Sequence, residues 1–390
     1  MKKVLVINLG WEQQKIIRLL AKREDVDLYG INADKHYDYE NLFTEVKVCD
    51  LRDFIAIFNF VDKVKPDAVI SDQCDYSLLI QAVISNRLKL NGPSIESAQL
   101  SNNKYFQRLK LRNKNVSMPR YKLCSSPEDV KLFCKESGYP VITKPIDNRG
   151  SFGVEIINEE SGIEQAYYKS FINSHSGLIL AEEQIIGKHY IVDGYSFGKE
   201  HQSLAVGKKE LLDNNFMNKD IVYYSEDDYF SQRLKKYNDY VVSELGYDFG
   251  HTTSEYIVTH DEEIFLVESA NRGGGVFISS HIVNNISGID INQAYINDCM
   301  CESYTEIKNV EKIRCLRLYY FLPEQEGVIS KIKKKKSSNE INILKYYIWA
   351  KPGDFIKMNI ENASNRLGVA IIRCDNEDSH LLPELSIEFK

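Results

Sequence analysis

Residues 1–95 alternate between short apolar runs and longer segments with the periodicity of a helix. The apolar runs cover residues 3–8, 26–32 and 67–71, and the helical patterns cover residues 16–20, 53–64 and 76–87. Strands that alternate with helices predict a parallel α/β sheet with helices on both faces. Because ligands of such sheets bind beyond the carboxyl ends of the strands, Asn8, Asn32, Ser71 and Asp72 are candidates for substrate contact.

Residues 94–113 have a helical pattern that contains Lys104, and a small α/β unit follows at residues 120–144. Ser126 and Pro127, followed by two acidic residues, predict the start of its helix. The last strand of the unit ends at Lys144 and leads into the loop KPIDNRGSFGV. Backbone N–H groups of such a loop can bind phosphate oxygens while the lysine neutralises charge. An ordinary turn explains the loop equally well, since a phosphate-binding GxxxxGKS/T motif is missing.

Two strand-like segments, SEYIVTH and EIFLVES, lie within residues 251–275 and are joined by a short acidic turn. A turn centred on residues 261 and 262 predicts a hairpin that pairs residue 258 with 265, residue 256 with 267, and Glu255 with Glu268. Like charges that face each other destabilise a sheet, and a hard divalent cation between the carboxylates would remove that cost. Arg272 and three glycines follow, and glycines allow close approach of the backbone to a ligand. Two solvated glutamates and a glycine turn are the alternative.

The composition of the chain excludes several classes of protein. Its 390 residues allow two or three domains, and a 43% apolar fraction is typical of a globular protein with a core. The net charge of −7 argues against a nucleic-acid surface. No apolar run is long enough to span a membrane, and the N-terminal run is too short for a signal peptide. The eight scattered cysteines are expected to be reduced thiols in a cytoplasmic protein.

Four features of the sequence, in their order along the chain, resemble the ATP-grasp superfamily. They are Lys104, the loop KPIDNRGSFGV, the segment AEEQIIG and the hairpin HTTSEY…LVESANRGG. The resemblance is closest to the carbamoyl-phosphate-synthase-like branch that includes L-amino-acid ligases, and the C-terminal segments FLPEQEGVIS and KPGDFIK share it. It implies an α/β fold, α+β in the ATP-binding part, with a parallel-sheet pre-ATP-grasp domain before a two-lobed ATP-grasp fold. The implied parts are an N-terminal substrate-side domain (1–95), a helical linker (96–117), a central lid (118–186) and a C-terminal domain with the metal-binding hairpin (187–390).

The resemblance also implies roles for individual residues. Lys104 and Lys144 would contact ATP phosphates, a loop would close over them, a hinge would hold adenine, two glutamates would hold Mg²⁺ or Mn²⁺, and an arginine would face the transferring phosphoryl group or the carboxylate substrate. The loop residues are Gly150, Ser151, Phe152 and Gly153, the hinge residues are Glu182, Glu183 and Ile185, the metal ligands are Glu255 and Glu268, and the arginine is Arg272. Lys144 and Arg272 would be the catalytic residues.

The sequence departs from the family pattern at two positions. His189 stands where the family has an acid for the ribose hydroxyls. A neutral imidazole can still accept a hydrogen bond, and a surface strand residue explains His189 equally well. Ala270 replaces an asparagine that is a usual metal ligand, and the adjacent Asn271 would point to the other face of the strand. One metal ion and two therefore both remain open.

The activity implied by the resemblance is ADP-forming ligation of a carboxylate to an amine through an acylphosphate. ATP and Mg²⁺ are the implied cofactors, and the partners are small-molecule carboxylate and amine substrates, with no nucleic acid and no membrane. A homodimer is left open. The alternatives are carboxylase-type or kinase-type phosphoryl transfer without an amide, and a nucleotide-binding regulator without turnover. The retained residues Lys144, Glu255, Glu268 and Arg272 argue against the regulator.

Overall fold

The computed structural model describes most of the chain. The described residues are 1–35, 39–197, 200–212, 216–225, 228–303, 309–334, 341–358, 360, 362–374 and 382–390. They form three successive α/β or β-rich parts, each built on its own sheet, together with a small three-stranded sheet near the C-terminus.

The N-terminal part is a parallel sheet with helices on both faces, as the sequence predicts. Its elements are β1 (Lys2–Ile7), α1 (Gln14–Ala21), β2 (Val26–Asn32), β3 (Glu45–Val48), α2 (Phe54–Val64), β4 (Ala68–Ile70) and α3 (Asp75–Leu88). The strand order is β3-β2-β1-β4, and all neighbours are parallel. Successive side chains of a strand point to opposite faces. Val6 therefore joins the core that contains Ile17 of α1, whereas Leu5 packs with Ile57 of α2.

The predicted helical segment at residues 94–113 is two helices, α4 (Ile95–Ser101) and α5 (Lys104–Leu111). The break has a local cause, because the side chain of Asn103 accepts a hydrogen bond from the N–H of Phe106 and so caps a new helix. Lys104 is consequently the first residue of α5, where its side chain can leave the helix toward the neighbouring sheets.

The central part is a small antiparallel sheet covered by two helices. Its elements are β5 (Tyr121–Cys124), α6 (Pro127–Ser137), β6 (Val141–Pro145), β7 (Glu155–Ile157), α7 (Ile163–Ile172) and β8 (Ile179–Glu183), with strand order β5-β8-β6-β7. The start of α6 is as predicted, since Ser126 Oγ accepts a hydrogen bond from the N–H of Asp129 at 3.2 Å. Such a cap stabilises a helix by about 1 kcal/mol.

The C-terminal part is built on a larger antiparallel sheet. Its elements are β9 (Lys188–Phe197), β10 (Glu200–Leu211), β11 (Asn218–Tyr224), α8 (Tyr229–Leu245), β12 (Gly250–Val258), β13 (Ile264–Ala270), α9 (Val283–Ser287), α10 (Ile291–Cys299), β14 (Cys315–Phe321), β15 (Gly327–Lys334), β16 (Asn342–Ile348), β17 (Phe355–Ile356), β18 (Gly368–Arg373) and β19 (Leu385–Phe389). The order of the eight-stranded sheet is β13-β12-β9-β10-β11-β14-β18-β16, and β17-β15-β19 form the small sheet. The hairpin β12–β13 thus lies at one edge of the large sheet.

The expectation that all cysteines are reduced thiols is wrong for one pair. Cys315, the first residue of β14, and Cys374, directly after the neighbouring strand β18, form a disulfide with 5.3 Å between their Cα atoms. The pair is 59 residues apart in the sequence, so its proximity depends on strand pairing that the sequence pattern did not reveal. In the described part of the chain, no helix is both long enough and apolar enough to cross a bilayer.

Candidate active site

The predicted glutamate pair lies at the edge hairpin of the large sheet. Glu255 pairs with Glu268 as predicted, but the rest of the predicted register is wrong by one residue, because Tyr256 pairs with Leu266 and Val258 with Ile264. An irregularity next to Glu255 absorbs the difference. The turn of the hairpin is one residue longer than predicted, which shifts the pairing of the residues next to it. The bulge places an extra residue on one strand and so restores the predicted pairing at the two glutamates.

Each glutamate of the pair has a lysine partner. Lys209 Nζ lies 2.6 Å from Glu255 Oε2, and Lys104 Nζ lies 2.8 Å from Glu268 Oε2. Burial opposes ionisation of Glu268, but the ammonium group of Lys104 outweighs it and lowers the pKa of Glu268 to about 2. Glu268 is therefore ionised at neutral pH, and the two lysines offset the repulsion between the facing carboxylates.

Lys144 belongs to a buried charge network at the ends of β6 and β8. Its Nζ lies 2.5 Å from Glu182 Oε2, and the other carboxylate oxygen of Glu182 accepts a hydrogen bond of 2.9 Å from Arg108 Nε. Burial raises the cost of ionising Glu182, yet the charges of Arg108 and Lys144 hold its pKa below the usual value. The network fixes the ammonium group of Lys144 at the wall of a cavity.

The predicted adenine hinge uses both of its carboxylates within the protein. Glu182 binds Arg108 and Lys144, and Glu183 accepts hydrogen bonds from the N–H and Nε of Arg120. The backbone of this segment and the side chain of Ile185 are therefore the groups of the predicted hinge that are left to contact adenine.

The glycine loop after β6 takes a conformation that glycine favours. Gly150 and Gly153 have φ of 61° and 72°, and Ser151 between them has φ of 59°. A Cβ on Gly153 would lie 2.8 Å from Cβ of Asn173, so the loop packs tightly against the end of α7. The carbonyl of Gly150 accepts a hydrogen bond from the N–H of Ala363, which joins the loop to the C-terminal part of the chain.

These residues line one cavity of about 180 Å³ between the central and C-terminal sheets. Of the residues that the family resemblance implies for the site, all but Gly153 and Arg272 are on its wall: Lys104, Lys144, Gly150, Ser151, Phe152, Glu182, Glu183, Ile185, His189, Glu255 and Glu268. His189 lies on β9 beside Lys209 of β10. Burial, followed by the charge of Lys209, lowers the pKa of His189 from 6.5 to about 4, so its imidazole is neutral at pH 7.

Arg272 lies in an adjoining cavity of about 120 Å³ that shares Lys104 and Glu268 with the first. Its Nε and Nη2 donate to the two oxygens of Asp75, at 2.7 and 3.1 Å. Arg149 of the glycine loop approaches the same carboxylate at 3.6 Å and stacks over Tyr76. The fork of Arg272 thus holds a carboxylate of the N-terminal part, and neither Glu255 nor Glu268 is its hydrogen-bond partner.

The glycine segment after Arg272 is fastened to the N-terminal part by a buried carboxylate. Asp72 accepts hydrogen bonds from the N–H of Gly273 and the hydroxyl of Ser279, and its Oδ1 lies 2.8 Å from Nδ1 of His251. A Cβ on Gly273 would lie 2.6 Å from Asp72, which explains the glycine. Asp72, a candidate for substrate contact, is therefore engaged within the protein. Asn271 donates to the carbonyls of Phe249 and His251, and so points away from the glutamate pair as predicted.

Sequence reasoning missed several residues of the two cavities. They are Asp75, Arg149, Lys209, Met217, Asn218 and Arg366. Lys209 lies on β10, a strand that the hydrophobic pattern did not predict, and Arg366 lies just before β18, near the C-terminus. Most of these side chains reach the site through contacts between elements that are far apart in the sequence, whereas Arg149 directly precedes Gly150 in the predicted loop.

No protein-family model matches the chain. A solved structure, the L-amino acid ligase from Bacillus licheniformis, superposes on 100% of this chain and 99% of its own with a TM-score of 0.81 and 17% identity. The chain has the ATP-grasp fold. The predicted resemblance to the ATP-grasp superfamily is confirmed.

Two curated relatives of the chain are a ligase and a formyltransferase by name. It is 28% identical over 208 residues to phosphoribosylamine–glycine ligase of Methanocaldococcus jannaschii, covering 50% of this chain and 47% of the relative. It is 24% identical over 354 residues to formate-dependent phosphoribosylglycinamide formyltransferase of Sulfurisphaera tokodaii, covering 83% and 80%. The chain thus spans about half the length of the first relative.

Proposed function

We propose that this ATP-grasp protein is an ADP-forming ligase that joins a carboxylate to an amine through an acylphosphate. The observation that carries the proposal is the conjunction, in one cavity, of the facing carboxylates Glu255 and Glu268 with Lys104, Lys144 and the glycine loop. Carboxylates and ammonium groups placed together can hold a nucleotide with its metal ion, and phosphoryl transfer depends mainly on such positioning and charge neutralisation. The names of the relatives, two of them ligases, support the same chemistry.

The glutamate pair fits Mg²⁺. Among the described residues no group of three or more His, Cys, Asp or Glu side chains is arranged to hold a metal ion. Mg²⁺ is commonly bound by one or two carboxylates together with phosphate oxygens and water rather than by an all-protein cage. Glu255 and Glu268 would hold the ion, and when bound it would neutralise charge on the phosphate oxygens.

The chain's own residues have separate tasks in this reaction. Lys104 and Lys144 would exchange part of their contact with Glu268 and Glu182 for phosphate oxygens, and the loop at residues 150–153 would exclude water. A substrate carboxylate oxygen attacks the terminal phosphorus, the bond to the bridging oxygen breaks, and ADP leaves. The amine nitrogen then attacks the acyl carbon, phosphate leaves, and the amine gives up a proton to yield the amide.

The adjoining cavity is the proposed place for the substrates. Arg272, Asp75 and Arg149 provide charged groups of both signs on its wall, next to Glu268 and Lys104. Arg272 would orient the carboxylate or the phosphoryl group. A substrate that binds there would have to share or displace the contact between Arg272 and Asp75.

Product analysis tests the proposed function. Purified protein would be incubated with MgATP and a panel of carboxylic acids, with and without amino acids and amino sugars, and ADP, AMP, phosphate and pyrophosphate would be quantified. The proposal expects ADP and phosphate in equal amounts, with release that depends on both an acid and an amine. ADP formed with an acid alone, together with a stable phosphorylated product, would favour kinase-type transfer. Tight nucleotide binding without turnover across the panel would favour the regulator.

A further inference from the structure

Arg366 is a buried cation on the wall of the 180 Å³ cavity and has no acidic partner among the described residues of that wall. It is 7% exposed. The other cations of the cavity wall each face a carboxylate: Lys104 faces Glu268, Lys144 faces Glu182, Lys209 faces Glu255 and Arg149 faces Asp75. Within the part of the chain that the structure describes, no carboxylate forms an ion pair with Arg366. Among the described residues its positive charge therefore has no carboxylate as a counter-ion.

The surroundings of Arg366 hold its side chain in place without neutralising it. The guanidinium carbon lies 3.6 Å from the ring centroid of Tyr320, and Nη2 donates to the carbonyl of Asn218 at 2.8 Å. Nε is buried and has no hydrogen-bond partner among the described residues. Burial lowers the pKa of Arg366, but a guanidinium keeps its proton. A buried charge without a partner is costly, and an anion bound in the cavity would remove that cost.

Two neighbours indicate which end of the cavity Arg366 occupies. Ala363, in the turn just before it, donates to the carbonyl of Gly150 in the loop proposed to cover the phosphates. Tyr320, under the guanidinium, is close enough to Glu255 for that carboxylate to add to the effect of burial in raising the tyrosine pKa. Arg366 thus lies at the end of the cavity that holds the proposed metal ligand Glu255 and the glycine loop.

We propose that Arg366 binds non-bridging oxygens of the terminal phosphoryl group of ATP. The inference rests on the proposed function and adds a ligand-binding residue from the C-terminal part of the chain. A guanidinium offers donors in a planar fork that suits phosphate oxygens. A substrate carboxylate is the other anion that could reach this end of the cavity. The two anions can be distinguished, because only the terminal phosphoryl group is present when a nucleoside triphosphate binds without substrate.

Calorimetric binding of Mg²⁺ complexes of AMPPNP and ADP separates the two sources. The variants are Arg366→Gln, Arg366→Lys and the control Arg373→Gln, which removes an exposed arginine from the following strand. Because a hydrogen bond to a charged group contributes more than a neutral one, Arg366→Gln should weaken AMPPNP binding roughly ten- to hundredfold. ADP binding should change by less than about threefold, and the control should match the wild type. Arg366→Lys should lose less AMPPNP affinity than the glutamine variant, and it too should weaken AMPPNP binding more than ADP binding.

Two results would overturn this inference. Equal weakening of both nucleotides would indicate that Arg366 acts through the structure of the cavity, and unchanged binding of both would assign it to another anion. If the glutamine variant has a lowered melting temperature without ligand, the AMPPNP-to-ADP ratio in Arg366→Lys decides in the same way. Wild-type protein that binds neither nucleotide would instead overturn the proposed function, and this inference with it.

Discussion

Arg272 and Asp75 join the end of the glutamate hairpin to the first turn of α3 through two parallel hydrogen bonds, Nε to Oδ1 at 2.7 Å and Nη2 to Oδ2 at 3.1 Å. The two residues are 197 positions apart in the sequence. The pair therefore connects the proposed metal site to the N-terminal part of the chain. It also shows that the fork of Arg272 accepts a carboxylate in the geometry that a substrate carboxylate would need.

We predict that Arg272→Lys is nearly as damaging to turnover as Arg272→Ala. An ammonium group is a point charge and cannot form the two parallel hydrogen bonds of a guanidinium. A displaced reacting group can lower the rate on the order of a hundredfold. Single-turnover rates of both Arg272 variants measure the effect on turnover. The melting temperatures of these variants, of Asp75→Asn and of the combined variants show how much of the effect is a loss of stability. Near-wild-type turnover in the lysine variant would exclude the two-bond role.

Glu268→Gln should abolish turnover while the protein still folds. The change removes a proposed metal ligand and the ion pair with Lys104, and it also removes one of the two facing negative charges. The lowered pKa of Glu268 indicates that its ion pair with Lys104 stabilises the folded protein, so the melting temperature without ligand should fall, and the relief of repulsion from Glu255 should offset part of that loss. Turnover should fall by about a hundredfold or more, measured as ADP release at saturating Mg²⁺.

Asp261→Asn is the matched control for Glu268→Gln, since it removes an exposed charge from the turn of the same hairpin. It should leave turnover unchanged. A wild-type rate in the Glu268 variant, or a wild-type melting temperature that does not rise when Mg²⁺ and AMPPNP are added, would contradict the metal-binding role.

His189 should make the protein less stable in mild acid. Its pKa is about 4 in the folded protein and 6.5 as its ordinary value, so the unfolded chain binds more protons between these two pH values. Stability contributed by the neutral imidazole is complete above pH 6.5 and declines as the pH falls toward 4. Thermal unfolding from pH 7.5 to 4.5 should show a smaller decline in His189→Gln than in the wild type. His260→Gln, at a fully exposed histidine, should decline like the wild type; parallel curves for all three proteins would contradict the assignment.

The glycine loop should become protected when nucleotide binds. Asp147 anchors its start by accepting hydrogen bonds from Ser174 Oγ and from the N–H groups of His175 and Ser176. Residues 149–153 are joined to the C-terminal part of the chain by the backbone hydrogen bond from Ala363 to Gly150. Loops that close over a substrate exclude water. Hydrogen exchange at residues 148–154 should slow with MgAMPPNP, while exchange in α2 should not change. Equal exchange of the loop in both states would contradict its proposed role as a cover.

The parts of the site that could be predicted from the sequence are those with a local signal. The pairing of Glu255 with Glu268 was predicted from two apolar runs around a short turn. This prediction is correct although the register nearer the turn is not, because the bulge restores the pairing at the two glutamates. Lys144 and the glycine loop follow one another directly in the sequence. Asp75, Lys209 and Arg366 could not be predicted, because each is brought to the cavity by contacts between elements that are far apart in the sequence. The disulfide between Cys315 and Cys374 was missed for the same reason.

The central claim is that a carboxylate is activated by phosphoryl transfer in this cavity, and oxygen transfer from the acid to phosphate tests it most directly. The experiment uses ¹⁸O-labelled carboxylic acids, unlabelled MgATP and an amine with which the protein releases phosphate, with mass analysis of phosphate and nucleotide. If a carboxylate is activated by phosphoryl transfer, the products are ADP and phosphate that carries one ¹⁸O atom per amide formed. Amide formation accompanied by AMP and pyrophosphate, or by phosphate that contains no label, would contradict it.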